Sequence, residues 1–77
     1  MLLRDYREKI TSDPNIMMGK PIIKGTRITV ELILRKLSED MTIEELLKAY
    51  PHLSKEDILA VISYSADVIS MEEMIAF

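Results

Sequence analysis

Side chains suited to catalysis are scarce in this chain. Its 77 residues include one histidine, His52, and no cysteine, which excludes a Cys-His arrangement. His52 lies in a Pro-His-Leu connection, where a capping or packing role is expected rather than that of the base in a Ser-His-Asp triad. The adjacent acidic pairs Glu44-Glu45 and Glu72-Glu73 would project about 100° apart on a helix and would not face one substrate together. We therefore expect no enzyme activity and no catalytic residue.

Metal and cofactor sites are also poorly represented. A structural zinc site needs four nitrogen or sulfur ligands, which one histidine and no cysteine do not supply. The two glycines, Gly19 and Gly25, form neither of the glycine-rich patterns that bind nucleotide phosphates. We expect neither a metal nor a cofactor.

The remaining chemistry is that of basic side chains, which bind phosphate. Residues 1–36 carry eight basic and four acidic side chains, whereas residues 37–77 carry two basic and nine acidic ones. Such polarity gives one face that meets phosphate and another that avoids it, and an ordinary solvated surface is the alternative. The candidate DNA contacts are Lys20, Lys24, Arg27 and Lys55.

Arg27 ranks first among these candidates. Its planar guanidinium can engage phosphate or guanine at two points, whereas lysine acts as a point charge. The alternative is an ion pair with Glu31, four residues further along the chain.

A short hairpin is predicted around three of these basic residues. Pro21 fixes φ and donates no hydrogen bond, so it belongs at the start or edge of a strand. Gly25 follows Lys24, and a tight hairpin turn commonly needs the positive φ that glycine adopts without steric cost. The predicted strands cover residues 22–23 and 27–28, and the alternative is a hairpin that only closes a core.

Three helices are predicted after the hairpin, each opened by a hydroxyl cap. A strand over residues 4–11 and a turn over 12–15 precede the hairpin. The predicted helices cover residues 30–39, capped by Thr29; a short segment from Ile43, capped by Thr42 with Glu45 and stopped by Pro51; and a third helix from Lys55, capped by Ser54 with Asp57. One face of the third helix is predicted to hold Ile58, Val61, Ile62, Ser65, Ala66 and Ile69.

The predicted architecture is one small α+β domain, mainly helical. Residues 1–28 supply the strands and hairpin, residues 29–70 the three helices, and residues 71–77 an apolar tail. The last two helices fit a helix-turn-helix, in which the start of the second helix meets base edges. Glu56 and Asp57 oppose that role unless they only cap the helix, so a generic helical hairpin is the alternative.

Several short motifs together resemble the bacterial family of domain of unknown function 433, over Ile10 to about Ile69. They are Asp13-Pro14, Gly19-Lys20-Pro21, Gly25-Thr26-Arg27-Ile28, Tyr50-Pro51-His52-Leu53 and the helix after Ser54. The resemblance implies a VapB-type antitoxin-like protein with a modified helix-turn-helix. The resemblance also implies that this protein neutralises a PIN-like ribonuclease toxin and, as often in such pairs, represses its own operator DNA. A protein-only interaction module is the alternative, which the acidic third helix favours.

The apolar content predicts self-association. About half of the residues, 48%, are apolar, yet so small a domain buries only about 60% of its unfolded surface. Without a disulfide, a homo-oligomer is the remaining way to bury the excess. The expected oligomer or partner contacts are Met71, Met74, Ile75 and Phe77, and folding back onto the core is the alternative.

The sequence also predicts a location. No apolar run approaches the ~20 residues of a membrane span, and no signal peptide is visible at the first residues. We expect a cytoplasmic protein without a membrane partner.

Overall fold

The computed structural model describes residues 6–76, and over residues 72–76 it describes the backbone alone. Short N-terminal elements precede three helices in this part of the chain, which confirms the predicted small α+β fold. In chain order the main elements are a 3₁₀ turn (Tyr6–Glu8), strand β1 (Ile10–Thr11), strand β2 (Ile22–Ile23), helix α1 (Val30–Ser38), helix α2 (Ile43–Ala49) and helix α3 (Lys55–Ala76).

A hairpin is present as predicted, but the two strands that pair in it are not the predicted two. β2 pairs with β1 in antiparallel fashion, with Ile10 opposite Ile23. Residues 27–28 are not the second strand, although the Ile23 N–H donates to the Ile28 carbonyl at 2.9 Å. The strand predicted over residues 4–11 is confined to β1 because a 3₁₀ turn precedes it; residues 4 and 5 lie outside the described part.

The turn after β2 confirms the expectation for Gly25, whose φ is +81°. The neighbouring Thr26 fixes the turn with its hydroxyl, which donates to the Ile23 carbonyl at 2.7 Å. The same oxygen accepts the Ile28 N–H at 2.9 Å. The turn therefore holds Lys24 and Arg27 on a short, well-bonded loop.

A second turn, Met17–Gly19, has a backbone that the sequence did not predict. All three residues have positive φ, at +50°, +57° and +80°. Glycine adopts this region freely, but each methionine is disfavoured there by about 1–2 kcal/mol. Hydrogen bonds from Gly19 N–H to the Ile16 carbonyl and from Lys20 N–H to the Met17 carbonyl, 3.0 and 3.1 Å long, hold the turn.

The three predicted caps begin the three helices. The Thr29 hydroxyl accepts the Leu32 N–H at the start of α1, and Thr42 with Glu45 forms a reciprocal capping box on α2. Ser54 and Asp57 exchange the same pair of bonds at α3, at 2.9 and 3.3 Å. Because each cap is a contact between residues three apart, it can be identified from sequence alone.

The core lies where the sheet, α1 and α2 meet the first half of α3. Residues from every one of these elements are buried together. They are Ile10, Ile23, Val30, Ile33, Leu46, Leu53, Ile58, Ala60 and Val61.

α3 is longer than predicted, and its second half leaves the core. The helix continues to Ala76, so the tail predicted at residues 71–77 is helical wherever it is described. Ile62, Ala66 and Ile69, predicted to share the face of Ile58, are exposed. The second half of α3 lacks cover because the helix has 22 residues against the 9 and 7 of α1 and α2. Ile62 lies in the first half, beside the buried Val61, but on the exposed side of the helix. Among the described helices, none has the length and apolarity that crossing a membrane requires.

Candidate protein-binding surface

An open groove of about 600 Å³ lies between α1 and the second half of α3. Leu34 of α1 and Val68 and Ile69 of α3 line it, and all three are exposed. Contiguous exposed apolar side chains commonly mark an interaction site. The groove is therefore the leading candidate for contact with another protein.

The groove exists because one apolar row of α3 continues beyond the core. Val61, Tyr64, Val68 and Met71 alternate at spacings of three and four residues, which places them on one side of a helix. Val61 is fully buried and Tyr64 half-buried, but Val68 and Met71 are exposed. No element of the described chain covers Val68 and Met71, the second half of this row.

The serine hydroxyl groups along the groove already have partners. Ser38 Oγ donates to the Arg35 carbonyl at 2.6 Å, and Ser65 Oγ donates to the Val61 carbonyl at 2.7 Å. A polar group is costly to bury only when it loses its hydrogen bond. Covering these serines with a partner therefore carries no such penalty.

An ion cluster forms the rim of the groove. Glu31 Oε1 lies 3.1 Å from Lys20 Nζ, and Glu31 Oε2 lies 3.2 Å from Arg35 Nη2. The hydrogen bond from Lys20, followed by that from Arg35, lowers the pKa of the Glu31 carboxyl below its ordinary value. The cluster is exposed, so its effect on stability is small, and it leaves one net positive charge at the rim.

Tyr64, which lines the groove, packs against Tyr6 at the start of the described chain. The rings of Tyr6 and Tyr64 pack edge to face, with centroids 5.3 Å apart and planes at 88°. A hydrogen bond to Asp67, with partial burial, raises the pKa of the Tyr6 phenol. These contacts tie the 3₁₀ turn to α3 and restrict the position of Tyr64.

The four predicted DNA contacts lie in three places. Lys20 belongs to the groove rim and pairs with Glu31, whereas Lys24 and Arg27 are exposed on the turn after β2. Among the side chains that the structure describes, residues 6–71, neither Lys24 nor Arg27 has an ion-pair partner. The alternative for Arg27 is wrong, because Glu31 pairs with Lys20 and Arg35 instead. Lys55 is exposed on the first turn of α3.

Lys9, which sequence reasoning did not single out, connects the basic turn to α3. Its carbonyl accepts the Lys24 N–H at 2.8 Å, and its Nζ lies 3.5 Å from Asp57 Oδ1. Asp57 is thus engaged by Lys9 and by the Ser54 cap. No local pattern marks Lys9, because its partners come from distant segments.

The surface around α2 and the start of α3 is acidic. Residues 50–54 connect α2 to α3, at the place where the helix-turn-helix is predicted. Among the described residues there, Lys48 and Lys55 are the basic side chains on α2 and the start of α3. The exposed acidic side chains are Glu39, Asp40, Glu44, Glu45 and Glu56. Such a surface repels phosphate.

The predicted oligomer contacts belong to α3 rather than to a separate tail. Met71 is exposed on the same side of α3 as Val68, which lines the groove. Met74 and Ile75 lie on the last turns of α3, and Phe77 lies outside the described residues. Val68 and Leu34 were not predicted as contacts, although the heptad spacing from Val61 would have indicated Val68.

Comparisons with known proteins agree with this fold. Residues 10–65 match the family model described as a protein of unknown function, DUF433. The chain is 36% identical over 52 residues to the uncharacterized protein y4eO of Sinorhizobium fredii (strain NBRC 101917 / NGR234), a match that covers 68% of this chain and 24% of that protein. The chain thus spans about a quarter of the length of this curated relative. Its fold is similar to the crystal structure of a DUF433 member protein from Anabaena variabilis ATCC 29413, with a TM-score of 0.74, 28% identity and coverage of 90% of this chain and 69% of that one.

Proposed function

Because the chain belongs to DUF433, a family of proteins of unknown function, we propose its role from its surface. It is an antitoxin-like module that acts by protein–protein contact, and its partner is a PIN-like ribonuclease toxin. The observation that supports this role is the uncovered apolar groove between α1 and α3. Binding there buries Leu34 and Val68 and neutralises the toxin by holding it in a complex.

The groove suits a protein segment of particular chemistry. Its floor is apolar, its serine hydroxyls have internal partners, and its rim carries one net positive charge from Lys20, Glu31 and Arg35. An amphipathic helix with apolar residues at i, i+3 and i+4 and an acidic flank fits such a site. The acidic surface of α2 supports a protein partner over DNA.

Substituting Leu34 and Val68 by aspartate tests this proposal. The neighbouring reading frame is co-expressed with the chain, and the affinity of its product is measured by calorimetry. An unpaired charge in an apolar interface typically costs about 3–5 kcal/mol, so we expect affinity to fall by about 100-fold or more. The matched control is Met18→Asp, which alters an apolar side chain outside the groove that is 88% exposed. Unchanged affinity in L34D/V68D would contradict the groove as the site.

Operator DNA is the second candidate partner, as expected of an autorepressor. Lys24 and Arg27 support it, because both are exposed on one turn and form no ion pair within the described residues. Lys9 joins this turn to the start of α3, where Lys55 is exposed. The pairing of Lys20 with Glu31 and the acidic α2 surface count against it, and so we rank DNA second.

Salt dependence distinguishes DNA binding from the protein-only role. If Lys24 and Arg27 bind phosphate, changing both to alanine should reduce the slope of log affinity against log salt by about two. The upstream region of the reading frame is the DNA to use in a gel shift. Lys48→Ala, an exposed lysine on α2, is the control and should have a smaller effect. The absence of any shift at low salt would leave the protein-only role.

A further inference from the structure

A second apolar stripe lies on the solvent side of α3. Leu59, Ile62 and Ile69 are exposed to 38%, 41% and 54%, and Ala66 between them is also exposed. Their spacings of three, four and three residues place them in one line along the helix. Among these four residues Ile69 alone also borders the groove, so the stripe adjoins the groove at Ile69 and is otherwise distinct from it.

We propose that this stripe is the seam of a homodimer, in which α3 packs antiparallel against α3 of a second copy. The backbone register of α3 continues this line to Lys55 at the start of the helix and to position 73 near its end. Read in order, the seam is Lys55, Leu59, Ile62, Ala66, Ile69 and Glu73. This inference goes beyond the proposed partner and does not depend on it.

The seam is complementary to its own reverse. When two copies run in opposite directions about a two-fold axis beside residue 64, equivalent contacts form twice, as a two-fold interface requires. Each charged residue of the seam then faces one of opposite charge, and each apolar residue faces another apolar residue. Lys55 comes opposite Glu73, Leu59 opposite Ile69, and Ile62 opposite Ala66, each pair occurring in both directions.

The central pair determines how closely the helices approach. Ile62 of one copy meets the methyl group of Ala66 of the other, and a large residue against a small one lets side chains interlock. A parallel arrangement would instead place Ala66 against Ala66 and leave a gap. It would also oppose Lys55 with Lys55, and like charges in register repel.

A second copy is therefore the occupant that the chain itself specifies. Complementarity of a surface to its own reverse serves a self-contact and is not needed for a different partner. Ser63 and Ser70, seven residues apart, flank the seam with small side chains, which leaves room for a neighbouring helix. Leu34 and Val68 of the groove lie outside this seam, and Ile69 is the residue that the two surfaces share.

Charge reversal at the two ends of the seam tests the proposal. By sedimentation of the full chain, Lys55→Glu and Glu73→Lys should each weaken the dimer by about tenfold, since two opposed pairs become like-charged. The double variant K55E/E73K restores opposite charges and should return to near the original affinity. Lys48→Glu, a reversal away from the stripe, is the control. A monomeric original chain, or a double variant no better than the single ones, would overturn the proposal.

Disulfide trapping tests the direction of the helices. The chain has no cysteine, so Leu59→Cys and Ile69→Cys can be made separately and mixed. The antiparallel seam predicts cross-linking in the mixture and little in either variant alone. Cross-linking of each variant with itself would instead indicate a parallel pair and overturn the register.

The dimer and the proposed partner site can fail independently. Ile62→Asp places a charge at the centre of the seam without touching the groove, so it should yield a folded monomer that still binds the partner. Circular dichroism verifies the fold. Partner binding lost through L34D/V68D alone would leave the dimer intact.

Discussion

Replacing Ile33 by alanine is expected to lower the free energy of unfolding by about 2–5 kcal/mol. Ile33 is 0% exposed and packs in the core shared by the sheet, α1 and α3. The loss combines the transfer free energy of the removed carbons with the cavity left behind. Since domains hold only about 0.05–0.15 kcal/mol per residue, this substitution removes a large part of the stability of so small a protein.

Urea unfolding followed by circular dichroism measures this change. The control is Leu34→Ala on the same helix, where the side chain is 37% exposed. The two substitutions change helix propensity similarly, but the exposed one leaves no closed cavity, so its effect should be under about 1 kcal/mol. Equal losses would contradict the assignment of Ile33 to the core. Because stability can depend on self-association, both are compared at one protein concentration.

Replacing Gly25 by valine should destabilise the protein by about 1–2 kcal/mol. The cause is backbone conformation rather than collision, because an added Cβ at this position meets nothing within 4 Å. Valine is disfavoured at the φ of +81° that the turn requires, whereas asparagine enters this region more readily. Gly25→Asn is thus the matched control.

Thermal unfolding of the two Gly25 variants provides the test. The valine variant should melt at a lower temperature than the asparagine variant, and the asparagine variant should lie close to the original chain. A valine variant as stable as the original would show that the turn adopts another conformation in solution.

The sequence predicted best those features that depend on neighbours within three or four residues. Thr29, Thr42 and Ser54 were identified as caps because their hydrogen bonds close within one helical turn. Gly25 was identified as a turn residue because its ability to adopt positive φ is a property of glycine itself. These contacts do not depend on how the remainder of the chain packs.

Features that depend on distant segments were predicted less well. The turn at Gly25 indicated a hairpin, but only tertiary packing selected β1 as the partner of β2. Periodicity placed Ile62 and Ile69 on one apolar face of α3 with Ile58, yet it could not show that the core does not extend to them, and both are exposed. Met17 and Met18 carry no local signal for positive φ, because methionine disfavours it.

The candidate surfaces follow the same division. Lys24 and Arg27 were predicted as exposed basic residues and are exposed. Lys20 was chosen with them, but its pairing with Glu31 joins residues 11 positions apart and required the folded chain. Leu34 and Val68 belong to different helices, so their joint groove has no signature in either helix alone.

The course of α3 past the edge of the core implies two regimes of local opening within one helix. A backbone amide exchanges with solvent when its hydrogen bond opens, and the free energy of opening follows the burial that is lost. Opening the first half exposes Ile58 and Val61 and so approaches global unfolding. Beyond Tyr64, opening exposes little that was buried. Within the single helix α3, amides before Tyr64 should therefore exchange slowly and amides after Tyr64 rapidly. A protein that covers the second half of α3 would make the whole helix open as one cooperative unit.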